Sequence, residues 1–400
     1  MTDQRIRELF KETKDKFVEF FGDDSHCSYA LSPASLVFLG DHTHYNEGVL
    51  LSTAVNKYAA FAGRKRKDDK ILIVNNFTGQ IVDLGNPESI KPGNRFPEKF
   101  IYTLFAYLKE LNLLNTGLEV AFTSDIPDCF GLGSVAAHQV ALIKLINKLA
   151  NLKLNKEKII SISRQAEMNI LGKISNEAHH WTVLNSKPEN IIFTDLRTKI
   201  VKNINFNYND LEIVVFDTEE EIPDAPKICS ERIEECEIGA NALKQYFWGI
   251  KNLRDISDDF LKKKVLTLPK RLYQRVNYNV QERGRVEEAL KSVYNDDPSE
   301  FGRNILLSHR NLASDYLLSS SRIDYLVETA VSMNGVLAAK MISCTPKRSI
   351  FSLVYKNYAD NYISSVKESF FRQYESELSV YRLNISSGVK LFQHLEEVFA

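Results

Sequence analysis

Four hundred residues, 44% of them hydrophobic, suffice for a sizeable core, and the length favours two domains over one. With 51 basic against 52 acidic side chains the formal net charge is -1, so the chain has no electrostatic footprint for nucleic acid or an anionic membrane, and a small-molecule partner is expected. No apolar run reaches the roughly 18 residues of a membrane span, and the opening MTDQRIRELFKETKDKF is charged and helical in pattern, which points to a cytoplasmic protein. The cysteines (Cys27, Cys129, Cys229, Cys236 and Cys344) are odd in number and lack C-x-x-C spacing, so free thiols are expected.

Residues 4–21 space Ile6, Leu9, Phe10, Phe17, Phe20 and Phe21 along one stripe of a helix. Residues 28–39 read as a strand, 40–48 as a polar turn closed by glycine at both ends, and 49–63 and 71–75 as further strands. A helix at about 97–112 follows Pro92 and Gly93. Then Val120, Ala121 and Phe122 end a strand, and Gly131-Leu132-Gly133-Ser134 opens a long apolar helix. A glycine loop that opens a helix aims unpaired N–H groups and a positive dipole end at whatever lies in front, which suits a phosphate. The same pattern also suits a tight turn that needs two glycines. Later, Leu211–Phe216 and 349–354 read as strands, with a helix carrying Tyr362, Val366, Phe370 and Tyr374 and a last strand near Val380–Leu383.

The segment SPASLVFLGDHTHYNEGVLL resembles the first motif of galactokinases, A-P-G-R-V-N-L-I-G-E-H-T-D-Y-N-D-G, within the GHMP small-molecule kinase superfamily. SDIPDCFGLGSVAAHQVA is similar to their second motif, and FTDLRTKIVKNI, SERIEECEIGANAL, RVNYNVQERGRVEEAL and LLSHRNLASDYLLSSSRIDYLVETA resemble later family segments in the family's order. The resemblance implies an α/β (α+β) GHMP kinase fold of two domains, 1–210 and 211–400, with nucleotide and sugar meeting in the cleft between them. It also implies ATP and Mg²⁺ as cofactors of an active member.

Carried over by position, the nucleotide phosphates fall to Gly131, Leu132, Gly133 and Ser134, with Ser134 as a Mg²⁺ ligand. The family's catalytic aspartate falls at His179 and its arginine at Ser35, and a slip of two residues would bring Glu177 to the aspartate's position. Its sugar contacts become Asp41, His42 and His44, and its tyrosine becomes Cys229. The third, glycine-rich motif corresponds to residues 341–349, which contain no glycine; Lys347 and Arg348 there could supply charge to an anion. Imidazole offers one acceptor and one donor where a carboxylate would accept from two hydroxyls, so the galactose contacts are altered. The expected function is therefore a galactokinase-like protein, impaired in galactose phosphorylation and binding a sugar or nucleotide. The alternative is an active sugar kinase using His179 or Glu177 as base. Asp41, His44, His179 and Cys229 are also metal-ligand types, so a transition-metal site in the former sugar pocket stands as an alternative to histidines of the core or surface with local hydrogen bonds.

Overall fold

The computed structural model describes residues 2–75, 79–84, 98–114, 116–127, 131–342, 346–394 and 397. In chain order the elements are α1 (Thr2–Phe21), β1 (Ser28–Leu39), β2 (Val49–Lys65), β3 (Ile71–Asn75), β4 (Val82–Asp83), α2 (Glu98–Glu110), β5 (Leu118–Ser124), α3 (Ser134–Ala150), α4 (Lys156–Leu171), α5 (Glu177–Asn185), β6 (Asn190–Asp195) and β7 (Ile200–Asn205). There follow β8 (Leu211–Glu221), α6 (Ala225–Lys244), α7 (Asp258–Lys263), α8 (Lys270–Tyr294), α9 (Pro298–Ser314), α10 (Ser321–Val331), β9 (Val336–Ile342), β10 (Lys347–Tyr355), α11 (Ala359–Tyr374), β11 (Ser379–Leu383) and β12 (Lys390–Phe392).

The larger sheet runs β12-β1-β2-β5-β3-β4, with β6 and β7 joined to the other half of the same edge of β2. That arrangement needs a long strand. β2 pairs β5 through Ala59–Lys65 and β6 through Val49–Ser52. Period-2 alternation sends Tyr29, Leu31, Ala60 and Ala62 to the face covered by α1, where Leu9, Phe10 and Phe17 pack. Ala30, Ala59 and Phe61 turn to the opposite face and meet α3. With both faces covered, every residue of β1 is buried. Pro33 has no N–H to give the ladder, and the β1–β2 register shifts between Pro33 and Ala34, as a proline inside a strand requires.

The second sheet is antiparallel, in the order β11-β8-β10-β9, and packs against α9, α10 and α11. The sheets share one apolar core. Phe38 at the end of β1 lies 5.8 Å, ring centre to ring centre, from both Phe301 and Phe351. Polar ties reinforce the join at the turn after β1: buried Glu282 of α8 accepts from the Gly40 N–H at 2.8 Å. Lys340 of β9, with no exposed surface, donates to Asp41 Oδ2 at 2.7 Å and to the Phe38 carbonyl at 3.0 Å. Leu211 opens β8 of the second sheet, yet the chain finishes by pairing β12 with β1 of the first.

Candidate functional site

Gly131 and Gly133 take φ of +70° and +60°, the left-handed region that glycine enters without steric cost. Gly133 is the N-cap of α3 and has no side chain to cap it, so the first-turn N–H groups are left for an anion. Nothing larger than glycine fits there. A Cβ on Gly133 would stand 2.7 Å from His179 Nδ1 and against Ser35 Oγ.

A cavity of about 170 Å³ opens in front of this loop. Its wall brings together Gly131, Leu132, Gly133 and Ser134, then Asp41, His42 and His44 from the turn after β1, with His179 and with Cys229 of α6. Ser35 sits just behind the wall, fully buried, its Oγ 2.8 Å from His179 Nδ1 and its N–H donated to the Leu132 carbonyl at 2.9 Å. The two positions are 144 residues apart in sequence and touch in space.

Glu177 is not brought to this cavity. Two helical residues turn the direction of a side chain by about 200°, so on α5 it points away from His179. Its carboxylate accepts from Lys199 at 2.8 Å and from Trp181 Nε1 at 2.9 Å and pairs with Arg164 at 3.2 Å. Burial opposes its charge, but those partners outweigh it and hold the carboxyl below the usual range. Arg348 likewise faces away from the cavity, toward Glu220 at 3.2 Å and the Leu318 carbonyl at 3.1 Å. Of the glycine-free third motif, residues 343–345 lie outside the described residues, while Ile342 and Pro346 line the cavity.

The transition-metal alternative finds no cluster among the described residues. Among the described residues no three His, Cys, Asp or Glu side chains stand close enough to hold a metal, and Asp41 is taken by Lys340. Burial pulls the pKa of His42 and of His44 down to about 3, so both are neutral at pH 7. Removal from water likewise lowers His179 to about 4, against the opposing pull of the Glu167 charge.

Three residues of this region are not among those the sequence assigned to the site. Glu167 of α4 reaches the cavity wall. Its Oε2 accepts from Ser175 Oγ at 2.9 Å and lies 2.7 Å from His180 Nε2, while Oε1 takes no hydrogen bond among the described residues. Burial works against the charge, but the His180 contact prevails and keeps the carboxyl below the usual range. His180 in turn meets Ser163 Oγ at 3.0 Å through Nδ1, so both its nitrogens are used. Lys340 is the third. Cys27, Cys229 and Cys236 are free thiols, while Cys129 and Cys344 lie outside the described residues. Among the described residues no helix is long and apolar enough to cross a membrane.

Residues 99–178 match the GHMP kinases N terminal domain, and residues 15–65 match the galactokinase galactose-binding signature. Both matches lie within the first 178 residues, and the fold is that of the GHMP kinases. A galactokinase of Staphylococcus carnosus is 27% identical over 390 residues, covering 96% of this chain and 99% of its own length. One of Roseiflexus sp. is 25% identical over 378 residues, covering 94% and 96%. The crystal structure of Lactococcus lactis galactokinase complexed with galactose superposes with a TM-score of 0.89 at 21% identity, over 96% of this chain and 99% of that one. The Methanococcus jannaschii mevalonate kinase structure gives 0.62 at 15% identity over 90% and 98%. The chain is thus galactokinase-like over nearly its whole length.

Proposed function

We propose that this galactokinase-like protein binds a sugar and a nucleotide in the cavity before the Gly131–Ser134 loop and phosphorylates galactose poorly or not at all. The observation that carries the reading is the pair Ser35–His179 at 2.8 Å, where the resemblance implies an arginine and an aspartate. A kinase needs a group to take the acceptor hydroxyl's proton, and a neutral imidazole pulled to about 4 is a weak base. No lysine or arginine is among the described residues lining the cavity to offset phosphate charge.

The residues present fit the nucleotide and its ion. The loop N–H groups would take phosphate oxygens, and Ser134 with the unengaged Oε1 of Glu167 would hold Mg²⁺, which asks for one or two carboxylates and leaves the rest to water and phosphate. Bound ATP supplies the phosphoryl group and Mg²⁺ steadies its charge. On the sugar side Asp41, His42, His44 and Cys229 would meet the hydroxyls. The imidazoles change the donor and acceptor pattern and so disfavour galactose itself. Glu167 also favours a second reading, an active sugar kinase of altered specificity with His179 as base, since a carboxylate does stand in the cavity.

The test is ATP-dependent phosphorylation of galactose and a panel of hexoses by the wild type and by the double variant Ser35→Arg/His179→Asp. We expect a wild-type rate at least ~10²-fold below the usual 1–10³ s⁻¹ and a gain of ~10² or more in the double variant, the worth of base catalysis. Turnover of any hexose by the wild type in the ordinary range overturns the proposal in favour of the second reading.

A further inference from the structure

We propose that His179 is itself a phosphoryl acceptor, and that the protein phosphorylates His179 Nε2 from a nucleoside triphosphate held at the Gly131–Ser134 loop. This rests on the reading of that loop as a nucleotide site. The ring is held for such a role: Ser35 Oγ engages Nδ1, and Ser35 is tied through its own N–H to Leu132, so two hydrogen bonds link imidazole and loop. The contact with Gly133 sets the ring against the loop that would cradle the phosphates. Nε2 takes no hydrogen bond among the described residues, and the residue lines the cavity. In the tautomer whose Nδ1–H donates to Ser35 Oγ, the lone pair is on Nε2 and faces that space.

Two of the neighbouring groups are already committed. His180 uses both nitrogens within the Ser163 and Glu167 network and is fully buried. Glu177 is occupied by Lys199, Arg164 and Trp181. A general base needs a hydroxyl between itself and the phosphorus, whereas a nucleophilic imidazole needs only its lone pair and a direct approach. In the step, the Nε2 lone pair forms a bond to the γ-phosphorus. The bond from that phosphorus to the β,γ-bridging oxygen breaks, and its electron pair leaves with the nucleoside diphosphate. The ring proton stays on Nδ1, shared with Ser35 Oγ. The same chemistry in reverse, or transfer to a small acceptor in the cavity, would discharge the phosphohistidine. Ser35 is a positioning residue here.

The protein is incubated with Mg²⁺ and ATP labelled at the γ-phosphate. Expected is one phosphoryl group per chain, labile in acid and stable in alkali as an N–P bond is, mapping to the peptide that contains residue 179. His179→Asn abolishes the label, and His26→Asn, at an exposed site, leaves it. Ser35→Ala slows labelling by about tenfold, the value of one hydrogen bond, without moving the site of modification. Peptide mapping of the wild type does not depend on any variant folding. An acid-stable label, or one on another peptide, refutes the proposal. Absence of label while ATP with Mg²⁺ still raises the thermal midpoint refutes it and leaves the nucleotide site standing. Absence of both removes the nucleotide site as well.

Discussion

Lys340 gives the sharpest test of how the two sheets are joined and of what Asp41 is free to do. Its ammonium is fully buried and held by Asp41 Oδ2 at 2.7 Å and the Phe38 carbonyl at 3.0 Å. Lys340→Met keeps the length and apolar bulk of the stem but leaves the Asp41 carboxylate, 9% exposed, without its counter-charge. Breaking a buried pair from one side costs about 3–5 kcal/mol, whereas replacing both charges is far milder. Lys340→Met should therefore lower stability by about that amount, and Asp41→Asn added to it should recover ~2 kcal/mol or more. The assay is urea unfolding followed by the fluorescence of Trp181, read as a shift in midpoint at unchanged slope. If Lys340→Met costs under ~1 kcal/mol, or if Asp41→Asn brings no recovery, the carboxylate is adequately solvated and the clamp is not what holds the turn.

Gly133→Ala should destabilise the protein by at least ~1–2 kcal/mol for the left-handed backbone alone. Because the new Cβ meets Ser35 and His179, it should also weaken any nucleotide-dependent rise in thermal midpoint; an unchanged midpoint and shift would refute the packing described. Acid should destabilise the fold from an unusually high pH. His42 and His138, each 1% exposed, have pKa values drawn by burial to about 3 and about 4, so between pH 6.5 and 4 the unfolded chain binds protons that the folded one refuses. Stability is full above pH 6.5 and falls below it, by up to about 1.4 kcal/mol per pH unit for each histidine. His138→Gln should remove its share of that slope in urea titrations at pH 7, 6 and 5, and a slope equal to the wild type's would show that His138 is not the group responsible.

Much of this site was legible because its parts lie in contiguous motifs. The loop 131–134, the turn 41–44 and the position of Cys229 each carry their own local signature, and the resemblance supplied the order in which the fold assembles them. Matching two motifs separately named Ser35 and His179, but their contact is visible only in the structure. What stayed hidden depended on long-range pairing or on rotation within a helix. Glu167 sits mid-helix in QAEMN with nothing local to separate it from a solvated glutamate, and only its contact with His180 and the cavity distinguishes it. Lys340 interrupts an apolar strand, and its reason lies 299 residues upstream in Asp41. The choice between His179 and Glu177 could not be made by spacing alone. The capping of α5 by Asn176 fixes where the helix starts, and with it which side chain faces the loop.

The pairing of β12 with β1 also bears on how the chain is made. Tyr29, Ala30 and Leu31 leave the ribosome roughly 360 residues ahead of their partners Lys390, Leu391 and Phe392. Until then the nascent first sheet presents a bare strand edge rich in apolar side chains, the kind of surface that recruits other chains. A stop codon or protease cut just before β12 would spare every described residue lining the cavity in front of the glycine loop. It would nonetheless leave that edge open permanently, and the cost would appear as aggregation during synthesis rather than as a change in ligand binding.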